Sequence, residues 1–68
     1  MNKIKINTEI IKLDAFLEWA AIVSSGLEAK IYIQDGLVKV NHEICLQRGK
    51  KLKVGDIVSF KDSDFEIV

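Results

Sequence analysis

The sequence predicts a two-layer α+β domain with both helices packed on one face of a small, mostly antiparallel sheet. Three observations carry that prediction. The apolar period is two near the N-terminus, switches to helical spacing from Leu13, and returns to two after Gly36. A helix-start signature stands at Ser25-Gly26-Leu27-Glu28. Turn signals then divide the rest of the chain into strand-length pieces.

Taken in order, Lys3 and Lys5 alternate with Ile4 and Ile6, the pattern of a short strand with one buried face. From Leu13 to Val23 the period becomes helical: Leu13, Phe16, Leu17 and Ala20 share a side, with Asp14 and Glu18 opposite. Asp14 near the start suits the positive end of the helix dipole. At Ser25 the hydroxyl can accept from the Glu28 N–H while the Glu28 side chain reaches back, so a second helix is expected from there toward Gln34. Leu27, Ala29, Ile31 and Ile33 also alternate as in a strand, but Ala29, Tyr32 and Ile33 at helical spacing, with the cap, favour helix. Gly36 supplies its stop. Val38 and Val40 alternate with Lys39, Asn41-His42 occupies a two-residue hairpin turn, and Ile44 and Leu46 resume on a return strand. Val54-Gly55-Asp56 reads as another turn, residues 57–60 as a strand, and Asp62-Ser63-Asp64 as a last turn before Phe65-Glu66-Ile67-Val68.

Size and composition narrow the functional classes. A chain of 68 residues makes one domain, expected to span residues 1–68, with a thin core. It offers no apolar run long enough for a membrane span, and its alternating N-terminus is unlike a signal peptide. One cysteine allows no internal disulfide, which favours a reducing, cytoplasmic setting. Catalysis has little to work with. His42 and Cys45 are the sole imidazole and thiol, and at a separation of three on a strand they point to opposite faces. Cys45 reads as a small, partly buried residue and His42 as a turn residue with an unusual backbone angle. Two such groups are too few for a zinc site, and no acid pattern suggests another metal. The expectation is a non-enzyme without a cofactor or a small-molecule substrate.

Charge supplies the positive clue. The formal net charge is zero, yet Arg48, Lys50, Lys51 and Lys53 crowd into six residues. Residues 28–53 carry six bases against three acids, and residues 54–68 one base against four acids. A neutral chain sorted this way has one face that attracts anions. A run of lysines is often only a solvated loop, but this density, the flanking glycines and the separation from acids favour a phosphate-binding surface. The start of the second helix is a second candidate: N–H groups at Ser24, Ser25 and Gly26, a serine hydroxyl, and Lys30 about one turn on. Glu28 opposes that reading by its charge. Trp19 and Tyr32 are candidates for stacking on bases, with packing the better assignment for Tyr32.

These pieces together resemble the ribosomal small-subunit protein four-type RNA-binding domain, the alpha-L motif. The resemblance begins at Lys12-Leu13-Asp14-Ala15-Phe16-Leu17 and continues through Ser24-Ser25-Gly26-Leu27-Glu28-Ala29-Lys30. Ile33-Gln34-Asp35-Gly36-Leu37-Val38-Lys39-Val40-Asn41 follows, and Lys51-Leu52-Lys53-Val54-Gly55-Asp56-Ile57-Val58 closes it. Residues 12–60 are covered with all four blocks in order, and the length is similar to that of the small stand-alone bacterial YaaA-like members. The resemblance implies a partner of structured RNA, within a ribosomal particle or as another non-coding RNA, bound through shape and phosphates by Lys12, Ser25, Lys30, Arg48, Lys50, Lys51 and Lys53. Gly26 stands where the family often has an arginine on the phosphate backbone, and His42 where it has a hairpin glycine. Two rivals remain. One is a protein-interaction module docking the basic loop on an acidic partner. The other is a β-grasp sulfur carrier, which would need a C-terminal Gly-Gly where this chain ends Ile67-Val68.

Overall fold

In the computed structural model, which describes residues 1–68, the chain runs through nine short elements. These are β1 (Asn2–Ile4), β2 (Ile11–Lys12), α1 (Leu13–Trp19), α2 (Gly26–Gln34), β3 (Val38–Val40), β4 (Glu43–Ile44), β5 (Lys51–Leu52), β6 (Ile57–Phe60) and β7 (Ser63–Ile67). Five strands form one sheet in the order β1-β7-β6-β3-β4, while β2 and β5 pair separately as an antiparallel ribbon. Only the β1–β7 pair is parallel.

The register sorts the side chains into two faces. Val40 lies opposite Val58, which lies opposite Phe65; Val38 lies opposite Phe60; and Ile4 lies opposite Ile67. Because strand side chains alternate, these residues share one face, and Lys39, Ser59, Asp64 and Glu66 share the other. Nearly every buried residue of the sheet belongs to the first set. Leu13, Phe16 and Leu17 of α1 and Ala29 and Ile33 of α2 complete the same core. Both helices therefore cover one face of a mostly antiparallel sheet, the expected α+β architecture. No helix is long and apolar enough to cross a membrane.

Local signals account for most boundaries. Ser25 caps α2, its Oγ accepting from the Glu28 N–H at 3.2 Å. The Glu28 carboxylate accepts from the Ser24 N–H at 3.0 Å, one residue earlier than in the expected reciprocal box. Gly36 ends α2 at φ +75°, with Gly36 N–H donating to the Ile33 carbonyl and Leu37 N–H to that of Tyr32. Asn41 and His42, at φ 51° and 73°, make the two-residue hairpin turn between β3 and β4.

Four expectations need correction. α1 stops at Trp19 rather than near Val23, because Ala21 adopts φ +58°. Its N–H donates to the Glu18 carbonyl and that of Ile22 to Leu17, the same closure that Gly36 makes at the end of α2. No glycine marks the site, so the stop was invisible in the sequence. The last turn is Lys61-Asp62, with φ 49° and 62°, rather than residues 62–64. Ser63 and Asp64 begin β7, where Ser59 donates to the Asp64 carboxylate at 2.6 Å. β4 is only two residues long and leaves Leu46 outside it. The β2–β5 ribbon was hidden because Lys51 and Leu52 read as part of a charge run.

Asp56 is the one buried charged residue. Its carboxylate accepts from the Lys53 N–H at 2.9 Å and from the Asn41 side-chain amide at 3.1 Å, with Lys53 Nζ at 3.7 Å. Asn41 in turn accepts from the Ile57 N–H at 2.9 Å and donates its own N–H to the Ile57 carbonyl at 2.7 Å. Burial pushes the Asp56 carboxyl up. The hydrogen bonds from Lys53 and Asn41 and the lysine charge outweigh that and hold it below its ordinary value.

Asp56→Ala is expected to cost about 2–3 kcal/mol in urea unfolding at neutral pH, because it strands the Lys53 N–H and the Asn41 amide. A depressed folded-state value means the contribution is complete above about pH 4 and is lost as the pH falls through that lower value. The stability gap between wild type and Asp56→Asn should therefore narrow in acid. Ala21→Gly should raise stability by about 0.5 kcal/mol, the relief of a left-handed alanine less the added freedom of the unfolded chain, read as a melting rise of a few degrees.

Candidate nucleic-acid interface

The basic run folds against the start of α1. Lys12 provides no side-chain cap there. Instead the Arg48 carbonyl accepts from the Asp14 N–H at 3.0 Å and the Lys50 carbonyl from the Leu13 N–H at 2.8 Å. The loop backbone is thus the cap of a helix too short to stand alone. These bonds also consume N–H groups that would otherwise be open to an anion, and the Asp14 carboxylate takes the Ala15 N–H. With the carbonyls turned inward, the side chains of Arg48 and Lys50 are left exposed.

The ribbon sets the next two charges. Ile11 pairs with Leu52 and Lys12 with Lys51. Leu52 is fully buried and Ile11 half-buried, so alternation turns Lys12 and Lys51 outward together. The Leu13–Lys50 hydrogen bond makes Lys12–Lys51 the non-hydrogen-bonded pair, the geometry with the closest side chains. Like charges directly opposite are destabilising. No carboxylate lies within 4.0 Å of Lys12, Arg48, Lys50 or Lys51; the one ion pair in the molecule joins Lys53 to Asp56.

The expected residues therefore divide. Lys12 and Lys51 stand opposite each other, the backbones of Arg48 and Lys50 adjoin them through their bonds to Asp14 and Leu13, and Lys53 follows but is partly engaged by Asp56. Ser25 and Lys30 belong to α2, whose start adjoins the far end of α1: a Cβ on Gly26 would stand 3.6 Å from Glu18 Oε1. Five residues of helix separate Leu13 from Glu18, a rise of about 7.5 Å. At that start the Ser25 hydroxyl and the Ser24 N–H are already satisfied within the chain, with Glu18 and Glu28 both close. Lys30 is half-buried.

Tyr32 is a packing residue, its ring 4.9 Å from that of Phe60 with Lys61 Nζ 5.6 Å from its centroid. Trp19 is half-exposed and is fixed by a 2.8 Å hydrogen bond from Nε1 to the Lys5 carbonyl. His42 holds the left-handed turn position and Cys45 is partly buried, its thiol 3.6 Å from the Gln47 carbonyl. No three His, Cys, Asp or Glu side chains gather to hold a metal ion. Asn41 and Asp56, which position the basic loop, were present in the quoted motifs as Val-Asn and Gly-Asp but carried no role until their contacts were visible.

Comparison with known proteins gives two matches. A family model described as S4 domain covers residues 4–68. The protein named "Probable ribosome maturation protein RlbA" of Bacillus subtilis (strain 168) is 41% identical over 68 residues, covering 98% of this chain and 96% of the relative.

Lys51→Glu is expected to replace the Lys12 repulsion with a cross-strand attraction and so raise stability by roughly 0.2–1 kcal/mol. Equilibrium unfolding at low salt reads the gain, which should shrink as salt is added.

Proposed function

The chain belongs to the S4 domain family, and from that premise we propose that it is a non-catalytic RNA-binding module that grips structured RNA through phosphates and shape. The observation that carries this reading is the Lys12–Lys51 pair flanked by Arg48 and Lys50. Four cations without counter-ions, two of them held face to face against their own repulsion, gain most when phosphates intervene. The relative's printed role in ribosome maturation supports ribosomal RNA, in a particle under assembly, as the partner.

Lys12, Arg48, Lys50 and Lys51 make the principal contact. Ser25 and Lys30 lie along the direction of α1 and meet the same RNA farther along its backbone, and Lys53 serves chiefly to fix the loop. Since the net charge is zero, long-range attraction is weak and affinity comes from this local cluster. The cluster reads no base by itself, because phosphate contacts position without specifying.

With about three to four phosphates neutralised, the logarithm of affinity for a ribosomal RNA helix should fall against the logarithm of salt with a slope of about −2 to −4. Charge reversal at Lys12, Lys50 and Lys51 together should abolish retention in a filter-binding assay, with the fold checked by circular dichroism. Lys53 is left intact in that variant because a carboxylate there would face buried Asp56. Undiminished binding by the folded triple variant would remove the assignment.

A further inference from the structure

Beside the basic edge lies an open groove of about 580 Å³ between the β3–β4 hairpin and the loop that follows it. Ile44 and Leu46 line it and are 59% and 61% exposed, turned away from the core by the alternation that packs Cys45 on it. Gln47 and Lys50 also line it. The Gln47 side-chain amide makes no hydrogen bond within the protein, and the Gln47 backbone carbonyl accepts from the Lys50 backbone N–H at 3.1 Å, which ties the groove wall to the basic run. Glu43 stands at the hairpin end. The groove thus has aliphatic walls, a free amide, a cation where it meets the ribbon and an acid at the opposite end of its lining segment.

We propose that this groove receives one unpaired nucleobase of the bound RNA, from a bulge or loop beside the helix held by the ribbon. The proposal rests on the RNA-binding reading above and gives it a substrate class. A phosphate chain crossing Lys12, Lys51 and Lys50 arrives at the groove mouth, and Lys50 belongs to both surfaces. A base turned out there leaves water for the Ile44 and Leu46 side chains, and the Gln47 amide offers a donor and an acceptor to its edge. The Glu43 carboxylate keeps the phosphates toward Lys50. Duplex RNA alone cannot enter, because its bases are stacked and its deep groove is too narrow for side chains to read.

The test compares an RNA hairpin carrying a single bulged 2-aminopurine with the same hairpin fully paired. Wild type should bind the bulged form about five- to ten-fold tighter, with a change in 2-aminopurine fluorescence on binding. Ile44→Ser and Leu46→Ser, both at exposed positions, should each reduce that preference toward unity and leave affinity for the paired hairpin unchanged. Lys51→Glu should weaken both RNAs alike. Equal wild-type affinity for the two hairpins, or a preference that survives both serine variants, overturns the nucleobase site while leaving the phosphate-binding reading intact. Failure to bind either RNA overturns both readings. Amide shifts at Ile44, Leu46 and Gln47 caused by an acidic peptide but not by the bulged RNA would give the groove to a protein strand and likewise overturn the proposal.

Discussion

The grip of the Asp56 carboxylate on the Lys53 N–H and the Asn41 amide is the contact on which the basic edge depends. Residues 41–53 run from the β3–β4 hairpin at the sheet's edge to the turn before β6. Between those points lie the two residues of β4 and the two of β5, too little ladder to hold a loop of this length. Asp56 fastens the two ends to each other, lowering the entropy that the loop would otherwise keep. The middle is fastened a second way, by the Arg48 and Lys50 carbonyls on the first N–H groups of α1. A buried carboxylate is costly unless it is fully paired, and this one is paired by donors from both loop ends.

That arrangement explains how so small a domain holds a cluster of unpaired cations. The loop backbone contributes to stability through the Arg48 and Lys50 carbonyls, which leaves the side chains of those two residues exposed and without a partner in the chain. Repulsion between Lys12 and Lys51 is then tolerated on a ribbon whose other side, Ile11 and Leu52, is anchored in the core. The balancing acids are elsewhere: Asp64 and Glu66 belong to β7, on the sheet face away from the helices. Neither of these acids lies within 4.0 Å of Lys12, Arg48, Lys50 or Lys51.

The family resemblance and the physical reading agree about the ribbon and part company at the second helix. A helix start with serines and a following lysine has the makings of an anion site. Here the Ser24 N–H is taken by the Glu28 carboxylate and the Glu28 N–H by the Ser25 hydroxyl, and Glu18 faces Gly26 from the neighbouring helix. The missing arginine at position 26 and the presence of Glu18 act in the same direction, so in the proposed RNA-binding reading the weight of phosphate binding falls on Lys12, Arg48, Lys50 and Lys51.

The sequence by itself determined what local chemistry can encode. Period-two and helical spacing located most of the strands and both helices. The Ser25 cap and Gly36 bounded the second helix, Asn41-His42 and Gly55 marked two turns, and the charge run pointed to the basic edge. Where a boundary rests on a residue with no distinctive preference, as with left-handed Ala21, nothing in the sequence announced it, and the last turn was placed one residue late because the pairing of Phe60 with Ser63 sets it at Lys61-Asp62. Only the tertiary structure decided that Lys12 stands opposite Lys51, that the loop carbonyls cap α1, and that Ile44 and Leu46 flank an open groove. Each of those joins residues distant along the chain or sets a side chain's exposure, and long-range pairing is fixed by the whole core and not by any local pattern.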